Sequence, residues 1–141
     1  MIKRDYAFSI WTNNYYFCRM RIMERMTKGQ LEAKISEAVI KFEKEFMGRG
    51  PQETVSFIIK DAILIRLKGV LTPAEEQLAK TADGAKLIKE TRAQLLEGAR
   101  DLRSKIIFDI TGCKTKSMHS DICTSTGEKI IVFILDQNLE S

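Results

Sequence analysis

Apolar residues at Leu31, Ile35, Ala38, Val39, Phe42 and Phe46 recur at intervals of three or four, with Glu and Lys between them. That spacing lines one face of a helix and predicts an amphipathic helix over residues 30–47. The stop is "GRGP", where Gly48 or Gly50 takes the left-handed conformation and Pro51 cannot continue the helix. The period then drops to two. In "ETVSFIIKDAILIRLKG", Val55, Phe57 and Ile59 alternate along one strand and Ile63, Ile65 and Leu67 along the next. Lys60 and Asp61 are the expected turn, although Asp-Ala matches the preferred Asp-Gly poorly and leaves the turn residues open.

"LTPAEEQLAK" opens a short helix, with Thr72 as N-cap, Pro73 at the first helical position and Glu75 closing a capping box. Beyond Asp83 and Gly84, the positions Ile88, Thr91, Leu95, Ala99, Leu102 and Ile106 form a helical stripe that runs to about residue 110. Gly98 costs such a helix ~1 kcal/mol relative to Ala, which predicts a bend there, and Gly112 ends it. A strand over 114–123, a turn at "STGE" around Gly127 and a strand over 129–135 complete the pattern. The run IIVFIL has no polar alternation, which predicts burial on both faces and a central place in a sheet.

The order helix, hairpin, helices, hairpin predicts an α+β fold: two β-hairpins in one four-stranded, mainly antiparallel sheet with helices packed on one face. Such a sheet leaves its other face or an edge strand to be covered, and this predicts a homodimer. Residues 1–27 stand apart from that pattern as an appended aromatic and basic segment, and residues 28–141 read as a single domain. Tyr6, Phe8, Trp11, Tyr15, Tyr16 and Phe17 supply more than half of the aromatics, and Asn13 and Asn14 interrupt any period. Met20, Met23 and Met26 offer later translation starts, so one reading makes the segment an upstream extension. The other makes it an arm that touches a membrane surface or a second subunit.

Composition narrows the class. A chain of 141 residues with 44% hydrophobic and 30% charged residues buries a core without staples. The net charge of +4 invites a nucleic-acid reading until it is located. Lys3, Arg4, Arg19, Arg21, Arg25 and Lys28, against Asp5 and Glu24, account for all of it, and the remainder is formally neutral. No nucleic-acid partner is expected. Cys18, Cys113 and Cys123 are too widely spaced for a metal pair or a disulfide framework, which points to reduced thiols in a cytoplasm. No run reaches the ~18 to 20 apolar residues of a membrane span, so the chain is not expected to cross a membrane itself.

Chemistry concentrates in "KSMHSDIC". On a strand, Ser117, His119, Asp121 and Cys123 share one face, with the sequence's single histidine between potential partners. A nucleophile and its base need ~2.6 to 3.2 Å, whereas same-face neighbours on one strand lie ~7 Å apart, so no catalytic triad is expected. No metal or cofactor is expected either. The glycines of "GRGP" with Arg49 form a conceivable anion site, but they follow a helix instead of opening one. "TGCK" and "TGEK" lack the spacing of a phosphate loop.

The ordered set of "GRGP", a hairpin, "LTPAEEQLA", a long helix, "TG" and "HSDICTSTGEKIIVFIL" resembles the MpsC-like domain family across residues 27–140. That family is named for a sodium-translocating, membrane-potential-generating system. The resemblance implies a small bacterial protein, non-enzymatic, that serves such a system and its link to inorganic-carbon supply. An integral-membrane partner at the inner face of the cell membrane is then expected. The alternative is a free-standing cytoplasmic regulatory or small-ligand-binding domain. Gly48, Gly50, Pro51, Leu71, Thr72, Pro73, Glu75, His119, Asp121 and Gly127 carry the resemblance. Most have structural explanations; His119 and Asp121, with Arg49 beside them as a candidate, are the expected binding residues.

Overall fold

The computed structural model describes residues 26–140, and nearly all of the appended segment expected at 1–27 lies outside the described residues. Helix α1 spans Lys28–Met47 and opens on a capping box: Thr27 Oγ1 accepts from the Gln30 amide while the Gln30 side chain accepts from the Thr27 amide. Its buried stripe is Leu31, Ile35, Val39 and Phe42, joined by Glu43. Phe46, expected on the same stripe, is exposed and stacks on Phe42 with ring centroids 5.2 Å apart. The stop is Gly48, left-handed at φ 80°.

Strands β1 (Glu53–Ile59) and β2 (Ala62–Lys68) form the first hairpin, turning through Lys60 at φ 56°. Helix α2 (Pro73–Leu78) carries the predicted Thr72–Glu75 capping box. Helix α3 spans Ala82–Gly98, helix α4 spans Arg100–Thr111, and strands β3 (Thr115–Cys123) and β4 (Glu128–Leu135) form the second hairpin. All pairings are antiparallel in the order β1-β2-β4-β3, so the last strand of each hairpin meets the other in the middle of the sheet. The α+β class and the four-stranded sheet follow the expectation from the pattern.

Asp83 and Gly84 do not precede the third helix; they lie in its first turn, with Thr81 as N-cap. Gly84 is required there because a Cβ would stand 1.9 Å from the Leu78 carbonyl oxygen, where α2 runs into α3. The single bent helix expected after it is two helices, broken at Ala99, whose φ of −104° and ψ of 11° leave the helical region.

The buried stripe of these helices also differs from the expected one. Thr91, Leu95 and Leu102 face solvent, and the core positions are Ile88, Arg92, Leu96, Ala99, Arg103, Ile107 and Ile110. The spacing of four from Ile88 was available in the sequence, but two arginines stand in that phase and mask it.

The core lies between the helices and one face of the sheet, centred on Ile35, Ile63, Ile65, Ile107, Ile131 and Phe133. On β1 the inward residues are Ser56 and Ile58; Val55, Phe57 and Ile59 point to the opposite face. Ser56 is tolerated because its hydroxyl pairs with Ser36 of α1 at 2.7 Å. IIVFIL is central, as expected, but buried on one face only: Ile131, Phe133 and Leu135 are sealed, while Ile130, Val132 and Ile134 are half-buried. No described helix covers the outer face they share with Leu64, Phe57 at 42% exposure and Ile59 at 54%. The edges are better protected than this face. Glu32 takes the Ile58 amide of β1, and Asp121 takes the Ile122 amide of β3.

Candidate functional site

Two charge-bearing regions meet at β3. On its outward side, Ser117, His119, Asp121 and Cys123 form the predicted polar stripe. His119 Nε2 and the Ser117 hydroxyl share a hydrogen bond at 3.3 Å, but Asp121 pairs with Lys89 of α3 at 3.4 Å instead of with His119, so no relay runs along the stripe. Cys123 Sγ lies 3.1 Å from the Ser125 hydroxyl. Hydrogen bonds from Ser125, then Thr126, stabilise the thiolate and lower its pKa to about 7. Among the described residues, no three His, Cys, Asp or Glu side chains come together as a metal site.

Arg49 stands elsewhere, donating from Nη1 to the Leu71 carbonyl at 3.1 Å and so tying the end of α1 to the segment before α2. The remaining predicted residues serve the same framework. Gly50 leaves room for the Lys44 side chain, which a Cβ would meet at 2.8 Å. Gly127 turns the second hairpin at φ 71°, and its carbonyl accepts from the Val70 amide.

Beneath β3, on the helix side, the structure gathers charges that polarity patterning assigned to solvent. Glu43 of α1 and Lys129 of β4 form an ion pair at 3.1 Å, with residue exposures of 1% and 2%. Burial is the first cause of the lowered Lys129 pKa; Glu43 opposes it, and Arg103 and Arg92 add to it. Arg92, 6% exposed, grips Glu75 by a fork: Nε to Oε2 and Nη2 to Oε1, both at 2.7 Å. Nη2 also donates to the Val70 carbonyl at 3.0 Å. The Arg92 hydrogen bonds are the main reason that the Glu75 carboxyl is held below its ordinary pKa. One carboxylate thus closes the α2 cap and anchors α3.

Arg103 completes the cluster. Its Nη2 donates to the Leu96 carbonyl at 2.9 Å, while Nε and Nη1 have no hydrogen-bond partner, and burial lowers its pKa. Nη1 of Arg92 is likewise buried and without a hydrogen-bond partner. Three buried cations therefore face two carboxylates, Glu43 and Glu75. The exposed neighbours Lys89–Asp121 and Arg100–Glu97 pair at the surface, and Glu97 also favours the charged form of Arg103, ahead of the opposing Arg100.

Above this cluster, between α3 and β3, a half-open pocket of about 60 Å³ is lined by Arg92 and Lys129 below, Leu96 at the side, and Lys89, Ser120 and Asp121 at the mouth. Sequence reasoning reached Asp121 and missed the cations. The available signal was phase: Arg92 stands four after Ile88 and four before Leu96, and Lys129 stands two before Ile131.

Comparison with known proteins gives a family and two relatives. The family model described as the Na+-translocating membrane potential-generating system (MpsC) matches residues 27–137. The protein named "Uncharacterized protein YbcI" of Bacillus subtilis (strain 168) is 40% identical over 116 residues, 82% of this chain and 94% of that one. "Uncharacterized protein YrhF" of the same organism is 24% identical over 111 residues, covering 76% and 88% respectively. No solved structure matches.

Proposed function

The chain belongs to the MpsC family, and from that premise we propose that it is a non-enzymatic accessory component of a Na+-translocating, membrane-potential-generating system linked to inorganic-carbon supply. The observation that carries this reading is the family match, which spans every described helix and strand. No described helix is long and apolar enough to cross a membrane. On this reading the translocating path belongs to an integral-membrane partner, and this domain attaches to it from the cytoplasmic side.

The open sheet face supports a second copy as its occupant. Val55, Phe57 and Ile59 flank the half-buried Leu64 and Val132, an apolar surface beside the polar stripe of β3. Four strands at ~4.8 Å spacing and ~24 Å length, the polar stripe of β3 included, give a footprint of ~460 Å², so two copies face to face bury ~900 Å², just below the ~1,000 Å² that separates a specific interface from a weak, transient one. Two-fold packing would lay each copy's apolar strands over the other's.

Inverted membrane vesicles from cells lacking the chain, read with a voltage-sensitive dye during Na+ addition, test the function. Adding back the full chain restores a Na+-dependent potential. An unchanged potential, with the chain washing off the vesicles, removes the reading. The second reading, a free-standing small-ligand-binding domain, is favoured by one observation: the pocket over the buried cations.

A further inference from the structure

The strand registers lay out the uncovered face of the sheet in rows. Its middle row runs Phe57, Leu64, Val132 and His119; the row of Val55 ends at Asp121 on β3, and the row of Ile59 ends at Ser117. A two-fold axis that turns one copy face-down on another runs either along the strands or across them. Along the strands, it sets polar β3 on the partner's β1 and buries His119 and Asp121 against Phe57 and Val55. Across the strands, it sets β3 on β3 and each apolar strand on its own copy, so no polar group is sealed under an apolar one. The height of the axis follows in the same way. One row toward Val55, the Phe57 row lies over the charges of Glu53, Lys68 and Glu128; one row toward Ile59, it lies over the turn at Lys60 and Asp61. Only the middle row keeps apolar rows on apolar rows.

We propose that the dimer axis crosses the strands at the row of His119, which sets each His119 against the partner's His119 and makes the dimer come apart in mild acid. The inference rests on a second copy covering this face. Sheets packed face to face lie ~10 Å apart, which brings facing side chains together. The charges around the imidazole are already matched: Asp121 is held by Lys89 of α3, Arg66 of β2 pairs with Glu128 of β4, and Glu53 of β1 pairs with Lys68. The partner's Asp121 comes to lie over Ser117, a step away from His119. The nearest new neighbour is therefore a second imidazole, and two like charges set together disfavour protonation. Histidine ordinarily gains its proton near pH ~6.5, so affinity is full above that value and declines as pH falls through it. An interface this small has little affinity to lose.

Sedimentation equilibrium of the full chain at micromolar concentration, near pH 8 and near pH 5.5 at constant ionic strength, brackets the ordinary histidine range. Circular dichroism confirms the fold at both. The native dimer should weaken at least tenfold at the lower pH. His119→Phe should remove that difference, and His119→Lys, charged at both values, should associate weakly at both; position 119 is exposed, so neither change reaches the core. Equal affinity at the two pH values, or a loss that persists in His119→Phe, overturns the axis and leaves the second copy in place. A native chain that is monomeric near pH 8 removes the second copy, and this inference with it.

Discussion

The two faces of the sheet break the usual rule in opposite directions. The face under the helices seals Lys129 and Ser56 beside Arg92, Arg103 and Glu43, while the face without helices leaves Val55, Phe57 and Ile59 partly open to water. Polar groups survive on the first face because nearly every one has a partner of its own: Ser36 for Ser56, Glu43 for Lys129, Glu75 for Arg92. Apolar groups are stranded on the second because nothing among the described residues lies over them. Polarity says which residues share a face. It does not say which face the helices take.

Breaking the sealed pair has the largest expected effect. Glu43→Ala leaves Lys129 charged, buried and unpaired, and should cost about 3–5 kcal/mol in urea unfolding, the range for removing one partner of a buried pair. Replacing both with Leu and Met tests the comparison more sharply, because an apolar pair of similar volume should recover most of that loss. If Glu43→Ala changes stability by less than ~1 kcal/mol, water reaches Lys129 and the inner face is not sealed.

Glu75 is the partly exposed counterpart, so its loss should be smaller. Glu75→Ala removes the reciprocal cap at Thr72 and both Arg92 fork bonds, for about 2 kcal/mol. Its carboxyl is held below the ordinary 4.5 by Arg92, so the stability it adds is fully present above that value and disappears as pH falls through the lower folded value. Melting temperatures between pH 5 and 2 should fall more steeply for the native chain than for Glu75→Ala. Parallel curves would mean that the fork adds no stability.

On the open face, Phe57→Asp should leave unfolding nearly unchanged and weaken self-association at least tenfold, about 1.4 kcal/mol, in sedimentation equilibrium. A native chain that sediments as a monomer at micromolar concentration would leave the face to another occupant. The smallest effect belongs to the polar stripe. His119→Ala and Asp121→Asn should each shift stability by less than ~0.5 kcal/mol, since both side chains are exposed, the Asp121 pair with Lys89 is a surface one, and the Asn amide oxygen can still accept from the Ile122 amide. Unfolding by either would make "HSD" a structural element rather than a binding one.

What the chain determined by itself was local. The caps at Thr72 and Gly48, the period-two runs of both hairpins and the uninterrupted apolar IIVFIL each act within a few residues, through backbone hydrogen bonds and side-chain alternation. These were enough for the α+β class, the four strands and the place of β4 inside the sheet. His119 and Asp121 were legible as a shared stripe for the same reason. The tertiary structure decided everything that depends on who lies opposite. Arg92, Arg103 and Lys129 look like surface residues until Glu75, Glu43 and the Leu96 carbonyl, distant in sequence or screened by a helix turn, arrive to receive them. Burial of a charge is a property of its partners, and partners are assembled by the fold.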